Sequence, residues 1–199
     1  MGRLGALTGR LLAAGLTAIA LMVLPANGPQ AAGFPLNIEA DFDLVGPDGT
    51  AVSDESLRGQ PMVLFFGYAS CESICSVALP RMAAAIDALG PDGAPVLPVM
   101  ITVDPRRDTP EALAEAMPRW HPRFLGLTGS EAALAEARAA FQVEVSEVAI
   151  DPAGEPIYAH GGFVYLIGAD GRVRSVVPPI LGPERIAELV RKHLIAPAG

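Results

Sequence analysis

The stretch that most limits what this chain can fold into is Pro61-Met62-Val63-Leu64-Phe65-Phe66, an unbroken apolar run closed by Gly67. A strand apolar on both faces must be covered on both faces, which is the position of an inner strand in a sheet flanked by helices. Val99 to Val103 repeats the pattern, with Pro98 expected at its start and not inside it. Between the two runs, Val77, Leu79, Met82, Ile86 and Leu89 recur at helical spacing, and Gly90-Pro91-Asp92-Gly93 ends that helix. Pro80 then either kinks the helix or lies in its first turn.

The remaining segments extend this alternation. Phe42–Val45 and Thr50–Val52 flank Gly46-Pro47-Asp48-Gly49 and read as a small hairpin. Thr109 caps a helix that has Pro110 at its first position and Glu111 in its first turn, and that runs to about Arg119. Phe124–Leu127 is a short strand. Ser130 caps a helix to Phe141, with Ala133, Leu134, Ala137 and Phe141 inward. Val143–Ile150 alternates as an edge strand and ends in the turn Asp151-Pro152-Ala153-Gly154. Phe163–Ile167 and Val173–Val177 form a late hairpin across Gly168-Ala169-Asp170-Gly171, and Pro183–Leu194 is a closing helix. The order implies an α/β fold, a mixed sheet with helices on both faces, in one domain over residues 33–199.

Composition excludes several classes. Apolar residues make up 51% and charged residues 18% of the chain, which rules out a disordered protein. A formal net charge of −8, with no basic stripe, argues against nucleic acid as a partner. The first 32 residues hold no Asp or Glu. Arg3 and Arg10 precede an apolar stretch from Leu11 to Leu24, then Pro25 and small residues to Ala32, the order of an export signal. The apolar run is shorter than the ~20 residues a membrane span prefers. Residues 1–32 are thus expected to be a cleaved signal peptide, or an N-terminal anchor over residues 11–26, with the body exported to the periplasm; that anchor would be the only membrane contact. No Cys follows the run to carry a lipid.

Cys71 and Cys75 are the only cysteines, four positions apart, just past the carboxyl end of the first inner strand. Open α/β sheets place ligands there. As a structural staple the pair is weak, because a bridge closing so short a loop removes little chain entropy. On a regular helix, Cβ atoms at i and i+4 lie ~5–6 Å apart, whereas a disulfide needs ~3.8 Å. Glu72-Ser73-Ile74 must therefore take loop geometry before the sulfurs can bridge. A helix N-terminus nearby favours thiolates. Of three histidines, His193 reads as a solvated last-turn residue and His121 as complement to a helix C-terminus. His160, before Gly161-Gly162, is either a turn histidine or a ligand. Cys71, Cys75 and His160 would make a two-sulfur, one-nitrogen set. Thiolates suit Cu(I) and zinc, and imidazole also accepts Cu(II); with no fourth ligand for structural zinc, copper is favoured.

At these residues the chain resembles the Sco (SenC/PrrC) family. The resemblance rests on Phe66-Gly67-Tyr68-x-x-Cys71-x-x-x-Cys75, on Val103-Asp104-Pro105-x-Arg107-Asp108-Thr109-Pro110, and on His160 ahead of Tyr165-Leu166 and Gly168-x-Asp170-Gly171. It implies a thioredoxin-like fold and copper, Cu(I) or Cu(II), held by Cys71, Cys75 and His160. It also implies delivery to the copper-site subunit of cytochrome c oxidase, with a periplasmic copper donor or thiol reductant as a further partner. Glu72 and Ser76 stand where the family commonly has Pro after each cysteine. Ala159 stands where it has Asp, which removes one expected partner of the imidazole. Asp104, Arg107 and Asp108 read either as a charged wall beside the site or as a turn and helix start held by its own hydrogen bonds. Met82, Met100 and Trp120 read as packing residues.

Three other activities fit the same residues. Cys71 and Cys75 could serve as the redox-active dithiol of a thiol–disulfide oxidoreductase. A thiol peroxidase on Cys71 lacks its usual setting, because Tyr68 stands where a hydroxyl beside the thiolate is expected. A purely structural disulfide is the fourth reading.

Overall fold

The computed structural model describes residues 37–195; the predicted signal or anchor lies outside them. The first elements are β1 (Asp43–Val45) and β2 (Ala51–Ser53), an antiparallel pair across the expected turn. Asp48 accepts from both the Thr50 backbone N–H, at 3.0 Å, and its hydroxyl, at 2.6 Å, closing that turn.

The core elements follow in the expected order. They are β3 (Met62–Gly67), α1 (Cys75–Leu89), β4 (Leu97–Thr102), α2 (Pro110–Ala116), β5 (Leu125–Leu127) and α3 (Glu131–Ala140). The chain continues with β6 (Val145–Ile150), β7 (Pro156–His160), β8 (Val164–Ile167), β9 (Val173–Val177) and α4 (Pro183–Val190). The main sheet runs β5-β4-β3-β8-β9. β3, β4 and β5 are parallel, and β8 and β9 each run antiparallel to their inner neighbour. β3 is paired on both sides and every residue of it is buried, as its unbroken apolar run demands.

Side-chain alternation shows that both faces of β3 are covered. Phe66 packs on Phe141, at the end of α3, with ring centroids 5.4 Å apart. The neighbouring Gly67 faces the opposite way, where a Cβ would sit 2.9 Å from the sulfur of Cys75 at the start of α1. Only a residue without a side chain lets that helix approach so closely. Thr109 and Ser130 cap α2 and α3 as expected, accepting from the Ala112 and Ala133 N–H groups.

Several boundaries differ. Pro98 lies inside β4, not ahead of it. The Leu97 N–H turns toward β3, bonding Pro61 O at 2.8 Å, so the nitrogen of Pro98 faces the other side. There β5 begins pairing only at Val99, and no hydrogen bond is lost. α1 starts at Cys75, two residues before the expected Val77, and includes Pro80. α2 stops at Ala116 and tightens into a 3₁₀ turn over Met117–Arg119, beside Pro118. The closing helix ends at Val190 and continues as a π turn over Arg191–Ile195.

The larger difference is β6. It is not an edge strand of the main sheet but pairs with β7, an unexpected strand, in a separate two-stranded hairpin. Five of its six residues are exposed, so the alternation of Val143–Ile150 marks no buried face.

Candidate metal centre

The Cys71 loop is built from the carboxyl end of β3. The Cys71 N–H donates to Tyr68 O at 3.1 Å, turning the chain. Ala69 N–H donates to the Asp108 carboxylate, 3.0 Å from Oδ2, and that carboxylate also accepts from the Thr102 hydroxyl at 2.7 Å. Burial pushes the Asp108 carboxyl up, against the lowering effect of these two bonds. The Ser76 hydroxyl donates back to Ser73 O at 2.6 Å and holds Glu72-Ser73-Ile74 as a loop. The loop geometry that the sequence required is therefore present: Cys75 opens α1, Cys71 lies ahead of it, and both are free thiols.

His160 arrives from the other end of the chain, as the last residue of β7 opposite Val145, not in a turn. Its Nε2 lies 3.6 Å from Cys75 Sγ. Its Nδ1 lies 3.2 Å from Gly161 O. A carbonyl can only accept, so the Nδ1 that faces it carries a proton, which leaves Nε2 as the ring atom directed at the sulfurs. The Gly161 carbonyl thus orients the ring where Ala159 supplies no carboxylate. Phe65 and Tyr68 stand edge-on to the ring, with centroids at 5.7 and 6.2 Å. The ligand atoms of Cys71, Cys75 and His160 all lie within 4.8 Å of one another.

The two thiols are not equivalent. Cys71 is lowered to about 4, first by the Cys75 thiol directed at it and then by His160 and the N–H groups of Cys75 and Ser73, against the effect of burial. Cys75 is pushed up, first because its proton is held by the Cys71 thiolate and then by burial. The pair therefore carries one thiolate and one thiol. Tyr68 is pushed up by burial and by that thiolate. Two soft sulfurs and one imidazole, half-enclosed by aromatic rings, suit a soft thiophilic cation.

The other sequence candidates are placed as follows. His121 follows the end of the α2 segment, one residue past the cap Trp120, as expected; its Nδ1 accepts from Arg123 N–H at 3.1 Å and its Nε2 lies 3.4 Å from Asp87, on another part of the surface. His193 is half-buried in the π turn, where burial pushes it down. Met82 and Met100 are buried in the core, and Trp120 packs partly against it. Arg107 and Asp108 reach beyond their own turn, to Pro156 O and the Ala69 N–H, whereas the Asp104 carboxylate pairs with Arg107 within it. Tyr158, whose ring meets Tyr68 edge-on at 5.9 Å, was missed. No local signal marks it, because its strand is short and lies between Pro156 and Gly161.

Sheet order, flanking helices and a dithiol at the start of the helix after an inner strand define a thioredoxin-like protein, here with an imidazole added to the dithiol. The SCO1/SenC family model matches residues 30–195, and the chain belongs to that family. It is 34% identical over 160 residues to a SCO2-like protein of Rickettsia conorii, covering 79% of this chain and 78% of that one. Among solved structures, Bradyrhizobium japonicum ScoI with copper bound is 32% identical with a TM-score of 0.72, covering 79% of this chain and 99% of that chain. BsSco, described by a disulfide switch and as a member of the Sco family of cytochrome c oxidase assembly proteins, is 26% identical with a TM-score of 0.62. It covers 80% of this chain and 95% of that chain.

Proposed function

We propose that this protein is an exported copper chaperone of cytochrome c oxidase assembly, which carries copper on Cys71, Cys75 and His160 and passes it to the oxidase subunit that holds copper. The observation that carries the reading is the convergence of two sulfurs and one imidazole nitrogen within 4.8 Å, from segments far apart in sequence. Copper is the cargo. The Cys71 thiolate meets it ready-charged, Cys75 gives up its proton as it binds, and His160 presents Nε2 because Nδ1 is held by Gly161. Two thiolates match the softness of Cu(I), and the imidazole lets the same set accept Cu(II). The copper-bound relative and the family's oxidase-assembly role support the cargo and the recipient. Export rests on the charge and apolar order of residues 1–32, with residues 33–199 as the exported domain.

Titration of the reduced protein with Cu(I), in competition with a chromophoric chelator, tests this. The expected result is tight one-to-one binding that weakens sharply in His160→Ala. Absence of tight binding, or indifference to that substitution, refutes it.

A second reading, thiol–disulfide exchange with partner cysteines, is favoured by the inequality of the two thiols. Cys71, the ionised one, attacks a partner disulfide; Cys75, on losing its proton, resolves the mixed disulfide and leaves the pair bridged and the partner reduced. A Cys75→Ser variant traps the mixed disulfide if this occurs, and His160→Ala leaves it intact.

A further inference from the structure

His160 is carried by β6–β7, a hairpin that among the described residues is hydrogen-bonded to no other strand. A two-stranded hairpin is marginal alone, so the position of its last residue depends on what tethers it. The loop between β4 and α2 supplies those tethers. Arg107 Nη2 donates to the carbonyl of Pro156, the first residue of β7, at 2.7 Å. The neighbouring Arg106 donates to the Tyr158 hydroxyl at 3.1 Å, in the middle of the same strand. The Arg107 guanidinium lies 5.4 Å over the Tyr68 ring, which in turn packs edge-on against both Tyr158 and His160.

Arg107 is itself held. Its Nε pairs with the carboxylate of Asp104, which is fully buried at 0% exposure and whose Oδ1 has no protein hydrogen-bond partner among the described residues. A buried carboxylate with half its acceptor capacity unused depends on that one cation, so the guanidinium is anchored at its Nε while Nη2 reaches the hairpin. Asp108, in the same loop, pins the cysteine loop through Ala69. One loop thus holds the sulfur side by a carboxylate and the imidazole side by a guanidinium.

We infer that Arg107 is a positioning residue for His160: it fixes the base of the β6–β7 hairpin and so sets the approach of the imidazole to the two sulfurs. The inference rests on the copper reading proposed above. A guanidinium is suited to the task because its fork binds a carboxylate and a carbonyl at once in fixed geometry.

The test is a double-mutant cycle on the reduced full chain, read by Cu(I) competition with a chromophoric chelator. Asp104→Asn and Arg107→Met are introduced together so that no buried charge is stranded, with a thermal melt to verify folding. Loss of an outer residue that orients a ligand is expected to weaken copper binding about tenfold. The same change made in a His160→Ala background is expected to weaken it no further, and the dithiol reduction potential is expected to stay unchanged. Equal losses in both backgrounds, no loss in either, or a moved potential overturn the inference while leaving the copper reading intact. Copper binding that ignores His160 in the otherwise unaltered chain overturns the copper reading, and this inference with it. If the paired variant does not fold, Arg107→Lys takes its place. It keeps a cation beside Asp104 but cannot span to Pro156 in fixed geometry, and it is judged by the same cycle.

Discussion

The inequality of the two thiols can be tested by removing the donor. Cys71 sits at about 4 chiefly because the Cys75 thiol is directed at its sulfur. Hydrogen bonds to charged groups contribute ~1.5–3 kcal/mol, and a thiol is a weak donor, so the lower end applies. At ~1.4 kcal/mol per pH unit, Cys75→Ala should raise the Cys71 midpoint by at least about one unit. His160 and the N–H groups of Cys75 and Ser73 remain in place and keep Cys71 well below an ordinary thiol. Cys75→Ser retains a hydroxyl donor and should shift it less. Thiolate absorbance near 240 nm and alkylation rates, followed across acid pH in the reduced metal-free protein, measure the midpoint directly. At neutral pH the unsubstituted protein should show one thiolate per chain, where two ordinary thiols would show only a few per cent of that. A midpoint that stays put or falls in Cys75→Ala refutes the reasoning, because Cys71 would then owe its acidity to something other than its neighbour.

The same pair makes the stability of the reduced, metal-free protein depend on pH. Cys71, lowered in the fold from an ordinary thiol value of 9.0 to about 4, contributes stability that is complete above 9.0 and lost as pH falls toward 4. Cys75, raised in the fold, contributes stability that is lost above 9.0. Urea unfolding should therefore show this pair's contribution rising from about pH 4 and declining above about pH 9; Cys71→Ser abolishes the rise and lessens the decline, part of which burial of Cys75 retains. Gly67→Ala would set a Cβ 2.8 Å from the Phe65 ring and 2.9 Å from Cys75 Sγ. It should cost about 1–3 kcal/mol in urea melts and weaken copper binding, whereas a neutral result would show that α1 can shift freely. Phe141→Ala opens a hole between Phe66 and Tyr165, ring neighbours at 5.4 and 5.1 Å, and should cost about 3–5 kcal/mol in unfolding free energy.

How far the sequence alone reaches differs between the two halves of the site. The cysteine side was legible because its determinants are local. The apolar run Pro61–Phe66 could only be an inner strand, Gly67 ended it, and the spacing of Cys71 and Cys75 required a loop that Glu72-Ser73-Ile74 and the Ser76 hydroxyl provide. Thr109 and Ser130 marked helix starts by a cap chemistry that needs only three following residues. On the histidine side, the inward face of β7 is Pro156, Tyr158 and His160 while its apolar Ile157 and Ala159 are exposed, and β6 is almost wholly exposed, so no apolar period announced the hairpin.

The sequence by itself determined the strands of the main sheet and its flanking helices, though not β7, and which side chains carry donors that suit a soft metal, because periodicity, capping and donor type are properties of neighbouring residues. Only the tertiary structure decided that His160 stands 3.6 Å from Cys75, 85 positions away, with Gly161 O orienting its ring and the 104–108 loop reaching both sides of the site. Closure over such a distance is set by how the sheet orders its strands and by tethers between loops, and no local pattern encodes either.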